Sequence, residues 1–146
     1  MPTRTARTAW NGGLNDGSGQ VELSSSKVGT YDVSFPKRAA DDAGGTTSPE
    51  ELIAAAHSSC YAMQFSAILG EAGGTVESLD VKADVSLGPD SAGGFKLTGI
   101  VLTVHGEVTG IDEATFLKAA DEAKATCPVS KALTGVDIEL HATFEQ

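Results

Sequence analysis

The chain has 146 residues, 40% of them hydrophobic and 21% charged, which is enough apolar material for one real core and too little for a membrane protein. Ten basic residues against twenty acidic ones leave a net charge of −10, which repels phosphate backbones and anionic lipid and argues against nucleic acid or a membrane as partner. No run approaches the roughly 20 apolar residues of a spanning helix, and Met1-Pro2-Thr3-Arg4 leads into a polar segment without a secretory signal. The expectation is a single soluble, cytoplasmic domain over residues 1–146.

Thr5 to Trp10 alternates and is closed by Asn11-Gly12-Gly13, and Gln20 to Ser25 and Tyr31 to Phe35 read as two more short strands, so the chain should open as a small antiparallel sheet. Pro36 to Thr47 is polar and carries glycine, which predicts an exposed connection holding the adjacent basic pair Lys37-Arg38. Ser48-Pro49-Glu50-Glu51 is a helix start, with Ser48 as cap, Pro49 at the first helical position and Glu51 completing a capping box. That helix should run to about Gly70, with Gly73-Gly74 stopping it. Val76 to Leu87 and Phe95 to Val108 read as a long hairpin. Ile111-Asp112 staples and caps a second helix through Ala125, Pro128 interrupts it, and a helical turn covers Val129 to Leu133 before a last strand from Val136 to Phe144. The order βββ-α-ββ-α-β predicts an α+β domain of antiparallel sheet packed around two main helices. Small residues on nearly every side of the first helix, Ala54, Ala55, Ala56, Ser58, Ser59 and Ala62, predict a central buried helix that a second subunit helps to cover.

The chemistry sits on two cysteines. Cys60 lies in mid-helix and Cys127 directly before Pro128. A reactive thiol needs an ionised, reachable sulfur, and a second thiol that traps its oxidised form makes the cycle renewable. In a reducing compartment any disulfide between them is transient rather than a staple. His57 shares a helical face with Cys60. A mid-helix sulfur gains little from the helix dipole, so its thiolate needs a cation, for which Arg38 or Lys37 is available. The residue before a proline leaves the helical region, which predicts an accessible Cys127. Their separation along the chain says nothing about distance. Glu50 stands ten residues before Cys60 on one helix, roughly 15 Å at about 1.5 Å per residue, so a Glu50 that works with Cys60 belongs to another chain. Otherwise Glu50 only complements the helix N-terminus, and Cys60 is only a small buried hydrophobe. His57, Cys60 and Cys127 together could offer three zinc ligands, but CxxC and HExxH are absent, and His105 and His141 fall in strands without metal spacing. A cysteine hydrolase would lack a third partner, and there is no GxGxxG or Walker loop for a nucleotide.

These residues resemble the OsmC/Ohr family, in its osmotically inducible protein C branch. The likeness rests on Thr47 through Cys60, on Ala83-Asp84-Val85-Ser86-Leu87, on Gly110-Ile111-Asp112 and on Cys127-Pro128-Val129-Ser130, and it extends from Trp10 to about Phe144. Ser48 stands where many members have asparagine, and both residues cap helices. The resemblance implies an intertwined homodimer with two active sites at the subunit interface. It implies Cys60 as the peroxidatic cysteine, Cys127 as the resolving one, Arg38 as the thiolate stabiliser and Glu50, from the partner subunit, as the carboxylate that orients the arginine, with His57 auxiliary. The expected activity is reduction of organic hydroperoxides, and of hydrogen peroxide less well, in oxidative or osmotic stress defence. A Cys60 sulfenic acid and a Cys60–Cys127 disulfide carry it, without haem, metal or flavin, and a dithiol of lipoyl type reopens the disulfide. Met63, Phe65 and Ile68 are expected to supply apolar surroundings for an organic peroxide. A non-catalytic redox sensor and a zinc-binding module remain the alternatives.

Overall fold

The computed structural model describes all 146 residues, and the chain divides into two compact units, residues 1–52 and 53–146, with the boundary inside one helix. The elements form an α+β fold with two three-stranded sheets.

In the first unit β1 (Arg7–Asn11), β2 (Ser18–Glu22) and β3 (Thr30–Val33) make an antiparallel sheet in that order. It buries little of itself: every β1 residue is exposed, and Val21 is the buried apolar side chain of β2. The predicted exposed connection begins instead with a one-turn helix, α1 (Phe35–Arg38), because the Ser34 hydroxyl accepts from the Lys37 N–H at 3.3 Å and Pro36 suits a first turn. Beyond it the chain is irregular to Thr47. The long helix α2 (Pro49–Glu71) starts as expected, with Ser48 Oγ accepting from the Glu51 N–H at 3.1 Å. The capping box is only half formed, since the Glu51 carboxylate accepts from the Thr47 hydroxyl at 2.5 Å instead of turning back to Ser48.

In the second unit β4 (Thr75–Pro89) and β5 (Phe95–Thr109) form the long hairpin, with a bulge between Ser86 and Leu87. The last strand, β6 (Ile138–Glu145), pairs with β5 in parallel, from Ile100 opposite Ile138 to Glu107 opposite Glu145. This corrects the all-antiparallel expectation. The cause is the pair of helices α3 (Glu113–Thr126) and α4 (Pro128–Ala132) between the two strands, a crossover that returns the chain to the end of the sheet where β5 began. Asp112 caps α3, accepting from the Thr115 N–H at 2.9 Å. At the other end of α2, Gly73 turns into the left-handed region at φ 91° and the Gly74 N–H closes onto the Leu69 carbonyl at 2.9 Å, which ends the helix.

The core joins one face of α2, α3 and the inner face of the β4-β5-β6 sheet. Tyr61, Phe65, Ile68 and Leu69 meet Phe116, Ala119, Ala120 and Ala123 over Leu102, Val104 and Val108. An aromatic chain runs from Tyr61 to Phe65, Phe116 and Phe144 with ring centroids 5.5, 5.1 and 4.9 Å apart. Each fully buried ring contributes about 1.5–3 kcal/mol of transfer free energy. Gly106 admits Phe116 to the sheet, since a Cβ there would stand 2.7 Å from the ring. The alanines of α3 let the two helices approach, and the Tyr61 hydroxyl donates to the Ala120 carbonyl at 2.8 Å.

The opposite face of α2 is open. Ala55, Ala56, Ser59, Met63 and Ser66 are exposed, so the helix expected to be buried all round is covered on one side only within a single chain. By length and mean hydropathy (1.2) α2 is apolar enough to cross a bilayer. Its polar His57 and Gln64 and its packed aromatic face are those of a core helix, and it makes no convincing span.

Candidate active site

Cys60, in the middle of α2, and Cys127, the residue that links α3 to α4, bring their sulfurs to 3.0 Å as free thiols. Two stretches of sequence produce this contact. The small residues before Cys60 keep α2 slim, and Pro128 forces Cys127 out of the helical region (φ −56°, ψ 124°), so the chain turns sharply there and the thiol points at α2. The expectation of an accessible Cys127 is corrected: it is fully buried in the core, while Cys60 keeps partial exposure. The break that frees a backbone from a helix here lies under α2, and the open edge belongs to Cys60.

The two sulfurs have unequal surroundings. Burial pushes the Cys60 thiol up, and the neighbouring Cys127 sulfur adds to this, with only the Val129 N–H acting the other way. Burial also opposes ionisation of Cys127, but the Cys60 thiol, the N–H groups of Ser130 and Val129 and the Ser130 hydroxyl together outweigh it and draw that thiol down. Cys127 makes no capping hydrogen bond of full geometry to α4, yet these donors lie close enough to favour its anion. The S···S contact by its angles has Cys127 donating to Cys60, whereas the surrounding donors favour the reverse. In the isolated chain Cys60 is the donor, because other donors converge on Cys127 and not on Cys60.

His57, one turn before Cys60, is fully buried and directs Nε2 to the Ser130 hydroxyl at 2.7 Å. Its expected partner was the Cys60 sulfur. Instead it reaches α4, and its Nδ1 is buried without a hydrogen-bond partner. Burial holds the imidazole below its ordinary range. In the sequence Ser130 figured only as the end of the Cys127-Pro128-Val129-Ser130 stretch, with no role assigned to it, and it lies on the first turn of α4. Gln64, one turn after Cys60, donates to the Thr126 hydroxyl at 2.9 Å and ties α2 to the end of α3.

In the first unit Arg38 and Glu50 form a fork. Arg38 Nε lies 3.0 and 3.1 Å from the two carboxylate oxygens and an Nη donor 2.7 Å from Oε1, with side-chain exposures of 33% for Arg38 and 10% for Glu50. Of the adjacent basic pair, it is therefore Arg38 that Glu50 holds. The pair closes inside one chain. A Glu50 supplied by a second chain brings its own Arg38 with it. Beside the pair an apolar groove of about 260 Å³ is lined by Trp10, Leu14, Val21, Phe35, Arg38 and Leu52 among others.

The remaining expectations divide. His105 and His141 are strand residues with ordinary partners, Glu145 at 3.0 Å and Glu139 at 2.7 Å, on an exposed face. Phe65 and Ile68 are buried in the core, while Met63 stands in solvent. No three His, Cys, Asp or Glu side chains converge on a point where a metal ion would be held.

The fold and the site thus define an α+β dithiol protein whose two thiols touch at the junction of three helices. Residues 41–141 match the family described as OsmC-like protein. The chain is 44% identical over 124 residues to peroxiredoxin OsmC of Escherichia coli (strain K12), covering 85% of each protein. It is 31% identical over 126 residues to the organic hydroperoxide resistance protein of Xanthomonas axonopodis pv. citri (strain 306), covering 81% of this chain and 82% of that one. The crystal structure of the organic hydroperoxide resistance protein OhrB of Bacillus subtilis superposes with a TM-score of 0.75 at 29% identity, covering 95% of this chain and 98% of that chain. The chain belongs to the OsmC-like family.

Proposed function

We propose that this protein is a cysteine-based peroxidase that reduces organic hydroperoxides, and hydrogen peroxide less well, in defence against oxidative stress. The observation that carries the reading is the 3.0 Å contact of two free sulfurs, since a disulfide needs them only about 1 Å closer. The Cys60 thiolate attacks the terminal oxygen of the hydroperoxide. The O–O bond breaks, the alkoxide leaves and takes a proton to become the alcohol, and Cys60 becomes a sulfenic acid. Cys127 then attacks that sulfur, water departs, and the Cys60–Cys127 disulfide forms. A dithiol of lipoyl type reopens it by exchange. Partial exposure lets peroxide reach Cys60, and full burial reserves Cys127 for the second step.

Cys60 needs a cation to hold the charge that the donors around Cys127 otherwise attract. Arg38, oriented by Glu50, fits that need when it comes from a second subunit, because a preset guanidinium fork favours an anion without reorganising. Two further features support a homodimer: the β1-β2-β3 sheet buries almost none of its own surface, which a three-stranded sheet does not sustain alone, and α2 leaves its slim face open. A cytoplasmic setting fits thiols that stay reduced between turnovers.

The test mixes reduced protein with cumene hydroperoxide and excess dithiol and follows peroxide loss and intact mass. Cys60→Ser is expected to abolish turnover, and retained turnover in that variant removes the assignment. Repeated turnover separates a peroxidase from a sensor that reacts only stoichiometrically.

A further inference from the structure

Closing the disulfide requires Cys127 to lose a proton in a place that water does not reach, for its sulfur is fully buried. Three observations bear on where that proton goes. Ser130 stands on the first turn of α4, three residues after Cys127, and its hydroxyl and backbone N–H help to draw the Cys127 thiol down. The same hydroxyl lies 2.7 Å from His57 Nε2, a strong hydrogen bond in length, and His57 is buried. The other ring nitrogen, Nδ1, has no partner. A buried imidazole with an orphaned nitrogen is costly as mere packing, because an unmet buried polar atom carries a penalty of about 1–3 kcal/mol in general. Such exceptions in a native interior call for a reason.

We propose that Ser130 and His57 form a proton relay for the resolving step, taking the Cys127 proton while Cys127 attacks the oxidised Cys60; this rests on the peroxidase reading above. While Cys127 is a thiol, His57 carries its proton on Nδ1 and accepts the Ser130 O–H at Nε2, which turns that proton away from the sulfur and leaves the Ser130 oxygen free to accept from the Cys127 S–H. As Cys127 sulfur bonds to Cys60 sulfur, its proton passes to Ser130 and the serine proton to Nε2, leaving an imidazolium. The Cys60 S–O bond breaks with its electron pair on oxygen, and the departing hydroxide takes up one proton to leave as water. His57 returns to neutral, so the products are one disulfide and one water, with no outside oxidant. Burial makes the imidazolium short-lived and returns the relay to its starting state. In this relay Ser130 takes the Cys127 proton, and His57 acts through Ser130 as a positioning residue.

Reduced wild type, Ser130→Ala, Ser130→Thr, His57→Asn and the Ser130→Ala/His57→Asn double variant are each mixed with one equivalent of cumene hydroperoxide. Peroxide loss reports the first step, and quenching into dimedone followed by intact mass separates trapped Cys60 sulfenic acid from disulfide. Removing a positioned acid-base group costs about 100-fold or more in general; here a loss of at least tenfold in disulfide closure is expected for Ser130→Ala and for His57→Asn. The dimedone adduct should accumulate, because closure slows by more than the peroxide step does. Ser130→Thr, which keeps the hydroxyl, should restore closure, and the double variant should be no slower than Ser130→Ala, whereas unrelated packing defects would multiply. Wild-type closure rates in both single variants overturn the relay, as does a Ser130→Thr variant as slow as Ser130→Ala. Should one alanine or asparagine variant not fold, the other decides on the same two rates. Wild type that consumes no hydroperoxide removes the peroxidase reading, and the relay falls with it; wild type that turns over while the variants close as fast removes the relay alone.

Discussion

Removal of Arg38 tests the fork in the first unit, and the structure sets the size of the effect. Three N···O distances of 2.7 to 3.1 Å join Arg38 to Glu50, whose side chain is 10% exposed against 33% for the arginine. An exposed ion pair couples by about 0.2–1 kcal/mol, and stripping the partner from a fully buried charge costs about 3–5 kcal/mol. A bidentate pair with one partner buried and the other a third exposed lies between, so a coupling of about 2 kcal/mol is expected, roughly a 30-fold change in the folding equilibrium. The measurement is a double-mutant cycle of urea unfolding at neutral pH for wild type, Arg38→Met, Glu50→Gln and the double variant, at one fixed protein concentration because assembly would shift apparent stability. Glu50→Gln keeps most of the volume and an acceptor, so it should cost less than Arg38→Met, which leaves a buried carboxylate bare. A coupling below about 0.5 kcal/mol would refute the reasoning, for the fork would then be a solvated surface pair. The same variants carry a kinetic expectation. A guanidinium brought near a thiolate lowers the thiol's pKa by about 1–3 units, so loss of Arg38 should slow the peroxide step by about tenfold or more.

The other expectations are narrower. Phe116→Ala should cost about 3–5 kcal/mol in urea unfolding, since the ring is fully buried between Phe65 and Phe144; a cost under 1 kcal/mol would mean that the aromatic chain does not hold the core. Burial depresses the His57 pKa in the folded state, so unfolded His57 takes up its proton first, near pH 6.5, and stability should fall as pH drops below that value. His57→Asn should flatten this part of the curve, and an unchanged slope between pH 8 and pH 5 would place the titration elsewhere. Cys127→Ser should leave the first oxidation intact and trap Cys60 as sulfenic or over-oxidised acid by mass, whereas a clean intramolecular product would show that another group resolves it.

Periodicity and caps made most of the fold legible. Alternation marked β4, β5 and β6 to within two or three residues, and Ser48-Pro49 and Asp112 fixed the starts of both main helices. What pattern alone leaves undetermined is direction. Ile138 to Glu145 alternates identically whether the strand is parallel or antiparallel to its neighbour, and only the length of the helical connection before it carries the answer. The short α1 escaped because four residues show no period, although Ser34 followed by Pro36 in the first turn was a usable cue. At the site the two cysteines were legible as reactive types, but their contact depends on how α4 folds back under α2. Ser130 is an ordinary serine until that packing places it between His57 and Cys127. Burial inverted the expectation for Cys127 because the residue before a proline leaves the helix without necessarily reaching solvent.

The unequal surroundings of the two sulfurs give the proposed cycle an order. In an isolated chain the donors of α4 attract charge to Cys127, the thiol that no peroxide reaches, while Cys60, which peroxide can reach, is pushed up by burial. A lone chain of this kind is poorly armed. In the proposed homodimer the Arg38–Glu50 fork of a second subunit would reverse the balance at the exposed sulfur, so assembly and activation would become one event. Once Cys60 is oxidised it no longer competes for the shared proton, and the same donors then favour the negative charge that builds on the Cys127 sulfur as its proton leaves. The same α4 contacts that make Cys127 the wrong nucleophile for peroxide thus make it the right one for the sulfenic acid.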